Sequence, residues 1–273
     1  MTIALDRLPQ SWQGLTHRLT YKYFQVRIDT PKDPYKILFR PQPYQVVFIL
    51  SHMRSGSSLL THILNSNPEI IGFGETHLVY ESEQDFKTLM FQLYWRLKDL
   101  NMNHKYILDK VLHDQKFLDH SFLQSDGVRT IFLLREPQRT LASILDIKPH
   151  QNEQHALGYY TGRLATLESY AQLINSKEKS LFITHDQVLN QSQLVFNSLQ
   201  SHLDTKTGFS EEYRVLKTTG SRGIGDSSEN IKAGKIIKQA RKLDIEISDA
   251  VLTQAQKAYD RCYETLSHYC DCI

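Results

Sequence analysis

The stretch that decides the fold is residues 44–60, which read YQVVFILSHMRSGSSLL. The five consecutive apolar residues 46–50 are typical of a strand that is buried on both faces of a parallel sheet. A short turn of serine and glycine follows, and the apolar pattern from Ser57 predicts a helix. A strand that turns directly into a helix points backbone N–H groups and the positive end of the helix dipole at one place. The stretch therefore predicts a binding site for phosphate or sulfate.

The side chains of this turn, the first anion loop (residues 51–58), favour the same prediction. Arg54 supplies a fixed positive charge. Hydroxyl donors come from Ser55, Ser57 and Ser58. The loop is similar to a nucleotide P-loop, but it lacks the Gly-Lys-Ser/Thr ending that an ATP or GTP site needs. This difference argues against a Mg²⁺-dependent nucleotidase.

The composition is ordinary for a globular chain, with 40% hydrophobic and 23% charged residues among 273, so we expect one domain over residues 1–273. A formal net charge of +2 is too small to favour nucleic acid as a partner. The first 45 residues lack the features of a signal peptide, and no apolar run approaches the roughly 20 residues of a membrane span. We therefore expect a cytoplasmic protein that binds neither nucleic acid nor a membrane.

Three cysteines, Cys262, Cys270 and Cys272, lie together near the C-terminus. Their odd number and tight spacing do not resemble a disulfide framework. Two neighbouring thiolates leave a tetrahedral metal site incomplete, and the histidines lack the spacing of metal ligands. The dispersed histidines, expected on the surface or in the core, are His52, His77, His104, His113 and His185. We therefore expect no metal centre.

Beyond residue 43 the chain alternates between strand and helix patterns. Strands are predicted at residues 44–51, 70–73, 106–108, 128–134 and 181–183. Helices are predicted at residues 57–65, 82–100 (capped by Ser82), 114–124, 153–175, 187–202 and 248–268, with a further helix from Pro137. Residues 1–43 are expected to form an irregular arm packed on the domain, and residues 208–234 a loop-rich segment. Wholly apolar strands that are each followed by a helix predict an α/β fold with a parallel sheet.

A second anion-binding element (residues 135–143) follows the strand at 128–134. That strand ends in Arg135, and Pro137 suits the first turn of the next helix. Arg139 and Ser143 are four residues apart, so they share a face of that helix. Ligands of parallel sheets bind beyond the carboxyl ends of the strands, where Arg54, Lys110 and Arg135 all fall. We therefore expect Arg135 and Ser143 to converge on a second phosphate.

Together the two elements resemble those of sulfotransferases that use 3′-phosphoadenosine 5′-phosphosulfate (PAPS). In that family the loop after the first strand binds the 5′-phosphosulfate, and an Arg with a Ser two turns into the next helix binds the 3′-phosphate. The loop form Arg-Ser-Gly-Ser-Ser is closer to the tyrosylprotein and carbohydrate branches than to the cytosolic phenol and steroid enzymes. The resemblance covers residues 44–236. It implies a P-loop-like sheet with helices on both faces, PAPS as donor, the bisphosphate PAP as product, and no required metal. The implied donor-binding residues are Arg54, Ser55, Gly56, Ser57, Ser58, Leu59, Arg135, Ser143, Arg222 and Gly223.

Further matches to the family imply the catalytic residues. Residues 72–76, GFGET, resemble the Gly-Glu-Glu-Thr of tyrosylprotein sulfotransferases and imply that Glu75 is the catalytic base. Lys110 falls where that branch keeps a lysine near the transferred group, and Arg54 is expected to share its role. Residues 221–226, SRGIGD, resemble, one residue shorter, a loop that closes over the 3′-phosphate in cytosolic members. Two histidines flank the predicted centre and remain alternatives as the base or as groups that orient the acceptor, namely His52 and His77.

The sequence thus predicts a sulfotransferase that modifies a hydroxyl or amine of a small molecule, in the tailoring of natural products such as polar alkaloids. A carbohydrate acceptor is the second choice. A small-molecule kinase would need a P-loop lysine, but no lysine occurs from residue 45 to 86. A nucleotide-binding protein without catalysis is a further alternative. Aromatic residues of two flanking segments are expected to supply part of the acceptor cleft, drawn from Tyr80, Phe86, Tyr94, Trp95, Tyr159, Tyr160 and Tyr170.

Overall fold

The computed structural model describes residues 10–216, 219, 229–239 and 243–273. Its strands form one sheet in the order β2-β3-β1-β4-β5-β6, and all neighbouring strands are parallel. The strands are β1 (Gln45–Ser51), β2 (Ile70–Ile71), β3 (Tyr106–Val111), β4 (Val128–Leu134), β5 (Ser180–Thr184) and β6 (Asp271–Cys272). The predicted α/β class and parallel sheet are confirmed.

Helices cover both faces of the sheet. They are α1 (Gln10–Asp29), α2 (Ser57–Ser66), α3 (Asp85–Leu97), α4 (Pro137–Ile147), α5 (Glu153–Ile174), α6 (His185–Asn190), α7 (Ser192–Leu203), α8 (Glu229–Lys232) and α9 (Asp249–Tyr269). Side chains of β1 alternate between two cores, since Phe48 packs with residues of α1, α3, α5 and α9, whereas Ile49 packs with residues of α2, α6 and α7. Burial on both faces explains the unbroken apolar run in the sequence.

Three of the strands are followed by a helix that begins one to six residues after the strand ends, and each turn has its own local cause. Gly56 precedes α2 with a φ of 90°, a conformation that glycine adopts without steric cost. At α4, Pro137 occupies the first turn and the Glu136 side chain accepts a hydrogen bond from the Arg139 N–H. At α6, Thr184 and Gln187 form a capping box. All three helix starts therefore lie at the carboxyl edge of the sheet.

The predicted irregular arm is wrong for residues 10–29, which form α1. Phe24 and Ile28 on this helix are buried, and Tyr21 packs edge-on against Phe91 of α3 with ring centroids 5.0 Å apart. The helix interior contains aromatic, Thr and Val residues, which have lower intrinsic helix propensity. Packing on α3 therefore stabilises a helix that the local sequence pattern does not predict.

The single helix predicted at 114–124 is also wrong, because two short 3₁₀ turns occupy it at Asp114–Lys116 and Ser121–Gln124. Between them Phe117 has extended backbone angles, pairs with Tyr80 in an isolated bridge, and is buried in the core. Burying Phe117 in this position requires the chain to leave the helical path. The aromatic cluster around Phe48 thus overrides the helical pattern.

Other boundaries differ by a few residues. The predicted helix at 187–202 is divided into α6 and α7 at Gln191, and α3 begins at Asp85 rather than at Ser82. The Asp85 side chain accepts hydrogen bonds from the N–H groups of Glu81 and Ser82. A residue of α3 thus supplies the acceptor for two N–H groups of the turn before the helix. The edge strand β6 was not predicted. No helix in the described ranges has both the length and the apolar character needed to cross a bilayer.

Candidate active site

A cleft of about 460 Å³ opens at the carboxyl edge of the sheet, over the ends of β1, β3, β4 and β5. Its size falls within the range of about 300–1,000 Å³ that is usual for small-molecule sites. Most of the predicted site residues line it, namely Arg54, Gly56, Ser57, Ser58, Leu59, Glu75, Lys110, Arg135 and Ser143. Ser55 is buried beneath the loop, where its Oγ accepts a hydrogen bond from the Ser57 N–H at 3.3 Å. Arg222 and Gly223 lie outside the described residues.

The first anion loop depends on two residues with left-handed backbone angles, Arg54 at a φ of 63° and Gly56 at 90°. A Cβ on Gly56 would lie 2.2 Å from Cδ2 of His185, so only glycine fits at this position. Helix α2 begins at Ser57, so the last two residues of the loop form the start of this helix. Its first-turn N–H groups have no carbonyl of their own helix to bond. Such a turn binds an anion through backbone donors and the helix dipole.

The two anion-binding elements are in direct contact. A guanidinium nitrogen of Arg135 (Nη1) donates to the backbone carbonyl of Arg54 at 3.0 Å, and Arg54 Nε donates to Ser143 Oγ at 2.8 Å. The Arg54 guanidinium therefore lies against the second element, although its backbone belongs to the first. Strands β1 and β4 are neighbours in the sheet, which brings the two elements together. A ligand with two phosphate groups would meet both.

His52 links the same two elements from below. Its ring Nε2 accepts the N–H of Arg135 at 3.1 Å, and its Nδ1 bonds the carbonyl of Met53 at 2.9 Å as donor. Burial lowers the pKa of His52 to about 4, so the ring is neutral near neutral pH. Both ring nitrogens are used within the protein, and the hypothesis that His52 is a catalytic base or orients the acceptor is wrong. Its role is to hold the end of β4 beside the end of β1.

Lys110 lies beside the first turn of α2 and is not a solvated strand end. Strand β3 extends to Val111, three residues beyond its predicted end, and pairs Lys110 with Ile49 of β1. The side chain is 2% exposed, and its Nζ donates to Ser58 Oγ at 3.3 Å. A buried ammonium group thus stands at the loop that the sequence assigns to a sulfate or phosphate.

Glu75 faces the same cleft from a separate loop, the Glu75 loop (residues 72–80). The carboxylate is largely buried, and its Oε1 has no hydrogen-bond donor among the described residues. The nearest ring nitrogens are His77 Nδ1 at 3.6 Å and His113 Nε2 at 3.9 Å. Burial raises the pKa of Glu75, while the nearby Lys110 and His77 lower it in part. A buried carboxylate with a raised pKa and an unused oxygen is suited to accept a proton.

Sequence reasoning missed His113, which it placed among the dispersed histidines. The ring lines the cleft close to Glu75, and burial lowers its pKa. Because the sequence pattern ended β3 at residue 108, nothing located a residue two positions beyond the true strand end. His77, in contrast, lines the cleft as predicted, and its side chain is half-exposed.

Helix α5 holds the ends of three strands, which sequence reasoning also missed. Tyr159 donates its hydroxyl hydrogen to the carbonyl of Leu112 at 2.8 Å and accepts the N–H of Met53 at 2.8 Å. Tyr160 donates to the carbonyl of Arg135 at 2.8 Å. Arg163, from the next turn of α5, is fully buried. Its guanidinium donates at 2.8 Å to each of three oxygens, the carbonyls of Ser51 and Val111 and Oδ1 of Asp114.

These contacts correct the expectation about the acceptor cleft. Within the described part of the chain, none of the seven aromatic residues proposed for its wall lines it. They pack in the core, and the hydroxyls of Tyr159 and Tyr160 bond backbone groups instead. The apolar part of the wall comes from other segments and includes Met53, Leu112, Ile147, Tyr213, Ile237 and Leu243.

The electrostatic character of the cleft is positive. Its described wall has five basic side chains, Arg54, Lys110, Arg135, Arg139 and Lys148, and one carboxylate, Glu75. Such an excess favours a ligand with several negative charges. In the described ranges no group of three or more His, Cys, Asp or Glu side chains is arranged to hold a metal ion, and the three cysteines are free thiols.

No family model matches this chain, and no curated protein does. Solved structures do match. The sulfotransferase domain from the curacin biosynthetic pathway is similar with a TM-score of 0.56 and 14% identity, over 81% of this chain and 98% of that one. The sulfotransferase domain of the Synechococcus PCC 7002 olefin synthase is similar with a TM-score of 0.51 and 14% identity, over 81% of this chain and 96% of that one. The chain therefore has the sulfotransferase fold, which confirms at the level of fold the resemblance in the sequence.

Proposed function

We propose that this protein transfers a sulfuryl group from PAPS to a hydroxyl or amine of a small-molecule acceptor. The observation that carries the proposal is the contact between the two anion-binding elements, Arg135 to Arg54 at 3.0 Å and Arg54 to Ser143 at 2.8 Å. PAPS bears anionic groups on both the 5′ and 3′ sides of one adenosine. The positive cleft and the sulfotransferase fold support the same donor.

The two ends of the donor have separate partners in this proposal. The 5′-phosphosulfate would be held by the first-turn N–H groups of α2 with the hydroxyls of Ser57 and Ser58. The 3′-phosphate would be held by Arg135 and Ser143, with Arg54 between the two ends. The fit rests on charge and on hydrogen-bond donors that already converge on one cleft.

The residues around the reacting group can perform the chemistry without a metal ion. When bound, PAPS supplies a sulfuryl group whose departure leaves negative charge on a phosphate oxygen. Lys110 and Arg54 stabilise that charge, because fixed cations in a partly dry site act more strongly than in water. Glu75 accepts the proton of the attacking hydroxyl or amine, and its raised pKa brings it closer to the operating pH.

The acceptor we propose is a small molecule in natural-product tailoring, with a carbohydrate as the second choice. The names of both structural neighbours refer to biosynthetic systems, the curacin pathway and an olefin synthase. The cleft also has an apolar part, which includes Leu112, Ile147 and Leu243, suited to a carbon skeleton beside the polar donor.

A transfer assay tests the proposal. Purified protein is incubated with ³⁵S-labelled PAPS and a panel of hydroxyl and amine acceptors, with and without EDTA. We expect transfer that EDTA does not change and that falls by about 10²–10⁴-fold in Glu75→Gln, since this variant keeps the shape but removes the base. Glu81→Gln, at an exposed position just beyond the Glu75 loop, is the matched control and should keep full activity.

Donor binding is measured separately by thermal shift. PAP should raise the melting temperature well above the value with AMP, because only PAP has the 3′-phosphate. Arg135→Ala should abolish this difference, whereas Arg129→Ala, at the opposite end of β4, should preserve it. Tight ATP binding without PAP binding would show that the protein is a kinase or another nucleotide-binding protein. PAP binding without transfer to any acceptor would favour the non-catalytic alternative.

A further inference from the structure

Asp109 is a buried carboxylate that the proposed chemistry does not use. It lies in β3 directly before Lys110 and is 2% exposed. Oδ1 accepts the N–H of Thr76 at 3.0 Å and the N–H of Lys110 at 2.8 Å. Oδ2 accepts the hydroxyls of Thr76 and Tyr80, both at 2.6 Å. A buried carboxylate with four donors is unusual enough to require a reason.

The bonding pattern suits the ionised form of Asp109. The two N–H groups bonded to Oδ1 can only donate, and the hydroxyls of Thr76 and Tyr80 can both donate to Oδ2. Burial raises the pKa of Asp109, and the hydrogen bonds from Thr76, Tyr80 and the Lys110 N–H lower it. In its ionised form Asp109 therefore places a negative charge against the Glu75 loop.

Three of the four bonds reach the Glu75 loop. Thr76 follows Glu75 directly, so its two bonds to Asp109 fix the backbone beside the predicted base. Tyr80 closes the far end of the loop on the same carboxylate. Glu75 itself accepts no hydrogen bond at Oε1 from the described residues, whereas the bonds of Thr76 to Asp109 hold the backbone next to it.

We propose that Asp109 is a positioning residue that attaches the Glu75 loop to β3 and thereby sets Glu75 and Lys110 at one reaction centre. Its catalytic consequence rests on the proposed function, whereas the attachment itself does not. One residue achieves both placements, because Lys110 is its neighbour in the strand and Thr76 is the neighbour of Glu75. A small displacement of the base would be costly, since a misplacement of about 1 Å can lower a rate by about 10²-fold.

Asp109 also acts on Glu75 through its charge. The groups that face Glu75 are Lys110, His77 and Lys116, which lower the pKa of Glu75, His113, whose ring lies 3.9 Å away, and Asp109, which raises it. Removing the charge of Asp109 should therefore lower the pKa of Glu75. A merely structural residue at this position would not produce this change.

Two substitutions separate attachment from charge. Asp109→Asn keeps the shape and can still accept the Thr76 N–H, but it loses the charge. Asp109→Ala loses both charge and attachment. Asp126→Asn is the matched control, because that carboxylate is fully exposed and pairs with Lys179 away from the cleft.

The decisive measurements do not depend on sulfuryl transfer. NMR follows hydrogen exchange of the Thr76 amide and the pH titration of the Glu75 carboxyl carbon, whose signal is identified by its loss in Glu75→Gln. We expect Thr76 exchange to become about 10-fold faster or more in Asp109→Ala, as for loss of a charged hydrogen-bond acceptor. We expect the Glu75 titration midpoint to move to lower pH in Asp109→Asn and to stay unchanged in Asp126→Asn.

Kinetics add the catalytic consequence. In Asp109→Ala, kcat should fall by about 10²-fold, because the base is displaced. The Kd for PAP should stay within about twofold, because no residue of the two anion-binding elements is changed. In Asp109→Asn the acidic limb of the kcat/KM profile should move to lower pH.

If Thr76 exchange and the Glu75 midpoint match wild type in the variants, the inference is overturned. If both change as expected but wild type transfers no sulfuryl group, only the proposed function fails. Should Asp109→Ala not fold, the Asp109→Asn titration decides.

Discussion

Replacing Arg163 by Met should destabilise the protein strongly, although this residue does not line the cleft. Met keeps an unbranched side chain in a position that is 0% exposed, but it removes the guanidinium. Three hydrogen bonds of 2.8 Å are lost, to the carbonyls of Ser51 and Val111 and to Asp114. The two carbonyls lie at the ends of β1 and β3, the strands that lead to the first anion loop and to Lys110.

The size of the loss in stability follows from the groups that are left without a hydrogen-bond partner. Each buried carbonyl that loses its donor costs about 1–3 kcal/mol, so the two together cost about 2–6 kcal/mol. The Asp114 side chain is 49% exposed, so solvent screens its ion pair, which adds at most about 1 kcal/mol. The total is a large fraction of the roughly 5–15 kcal/mol by which domains are usually stable.

Urea-induced unfolding followed by circular dichroism measures this loss. Lys36→Met is the control, because Lys36 pairs with Asp33 on the surface with the two side chains 52% and 40% exposed, and its removal should cost about 0–1 kcal/mol. Arg163→Lys should fall between the two, since an ammonium group cannot reach three acceptors in the geometry of a guanidinium. An unfolding free energy for Arg163→Met within about 1 kcal/mol of wild type would refute the reasoning, since the carbonyls would then be satisfied without Arg163.

Two further predictions concern the first anion loop. The pKa of His52 is about 4 in the folded protein against 6.5 ordinarily, so the unfolded chain takes up the proton first and stability falls as pH drops from 6.5 towards 4. Between about pH 7 and pH 4.5 this loss of stability amounts to about 2 kcal/mol. Urea unfolding at both pH values should therefore show that acidification destabilises His52→Gln by about 2 kcal/mol less than it destabilises wild type. An equal loss in the two proteins would contradict the lowered pKa of His52. Gly56→Ala should weaken PAP binding about 10-fold or more by calorimetry, because its Cβ would meet His185 at 2.2 Å and its φ is unfavourable. Gly158→Ala is the control, since a Cβ there meets nothing within 4 Å, and wild-type affinity in Gly56→Ala would show that the loop adapts.

Apolar strands were predictable because burial on both faces of the sheet requires an unbroken run of apolar residues in the sequence. Residues 128–134 were predicted with the bounds that the structure has. The end of β3 was not, because Asp109 and Lys110 are charged residues in a buried strand. Their partners, Thr76, Tyr80 and Ser58, lie 29 to 52 residues away, and no local pattern records such pairings.

In the candidate site, too, residues of local motifs were predictable and contacts between distant residues were not. Arg54, Glu75, Arg135 and Ser143 were identified because each belongs to a short motif with fixed spacing. The contacts that hold the strand ends were not, since Arg163 bonds Ser51 across 112 residues. An aromatic or basic residue at helical spacing looks the same whether it lines a cleft or bonds a distant carbonyl.

The attachment of three strand ends to α5 has a practical consequence for protein engineering. Part of the cleft wall comes from the segment between α8 and α9, including Ile237 and Leu243, and these two residues are not partners of Tyr159, Tyr160 or Arg163 in the bonds that hold the strand ends. Random substitution confined to such wall positions should alter which molecules are accommodated while nucleotide affinity is retained. A library that includes the inward face of α5 should mostly yield variants with poor recovery on expression.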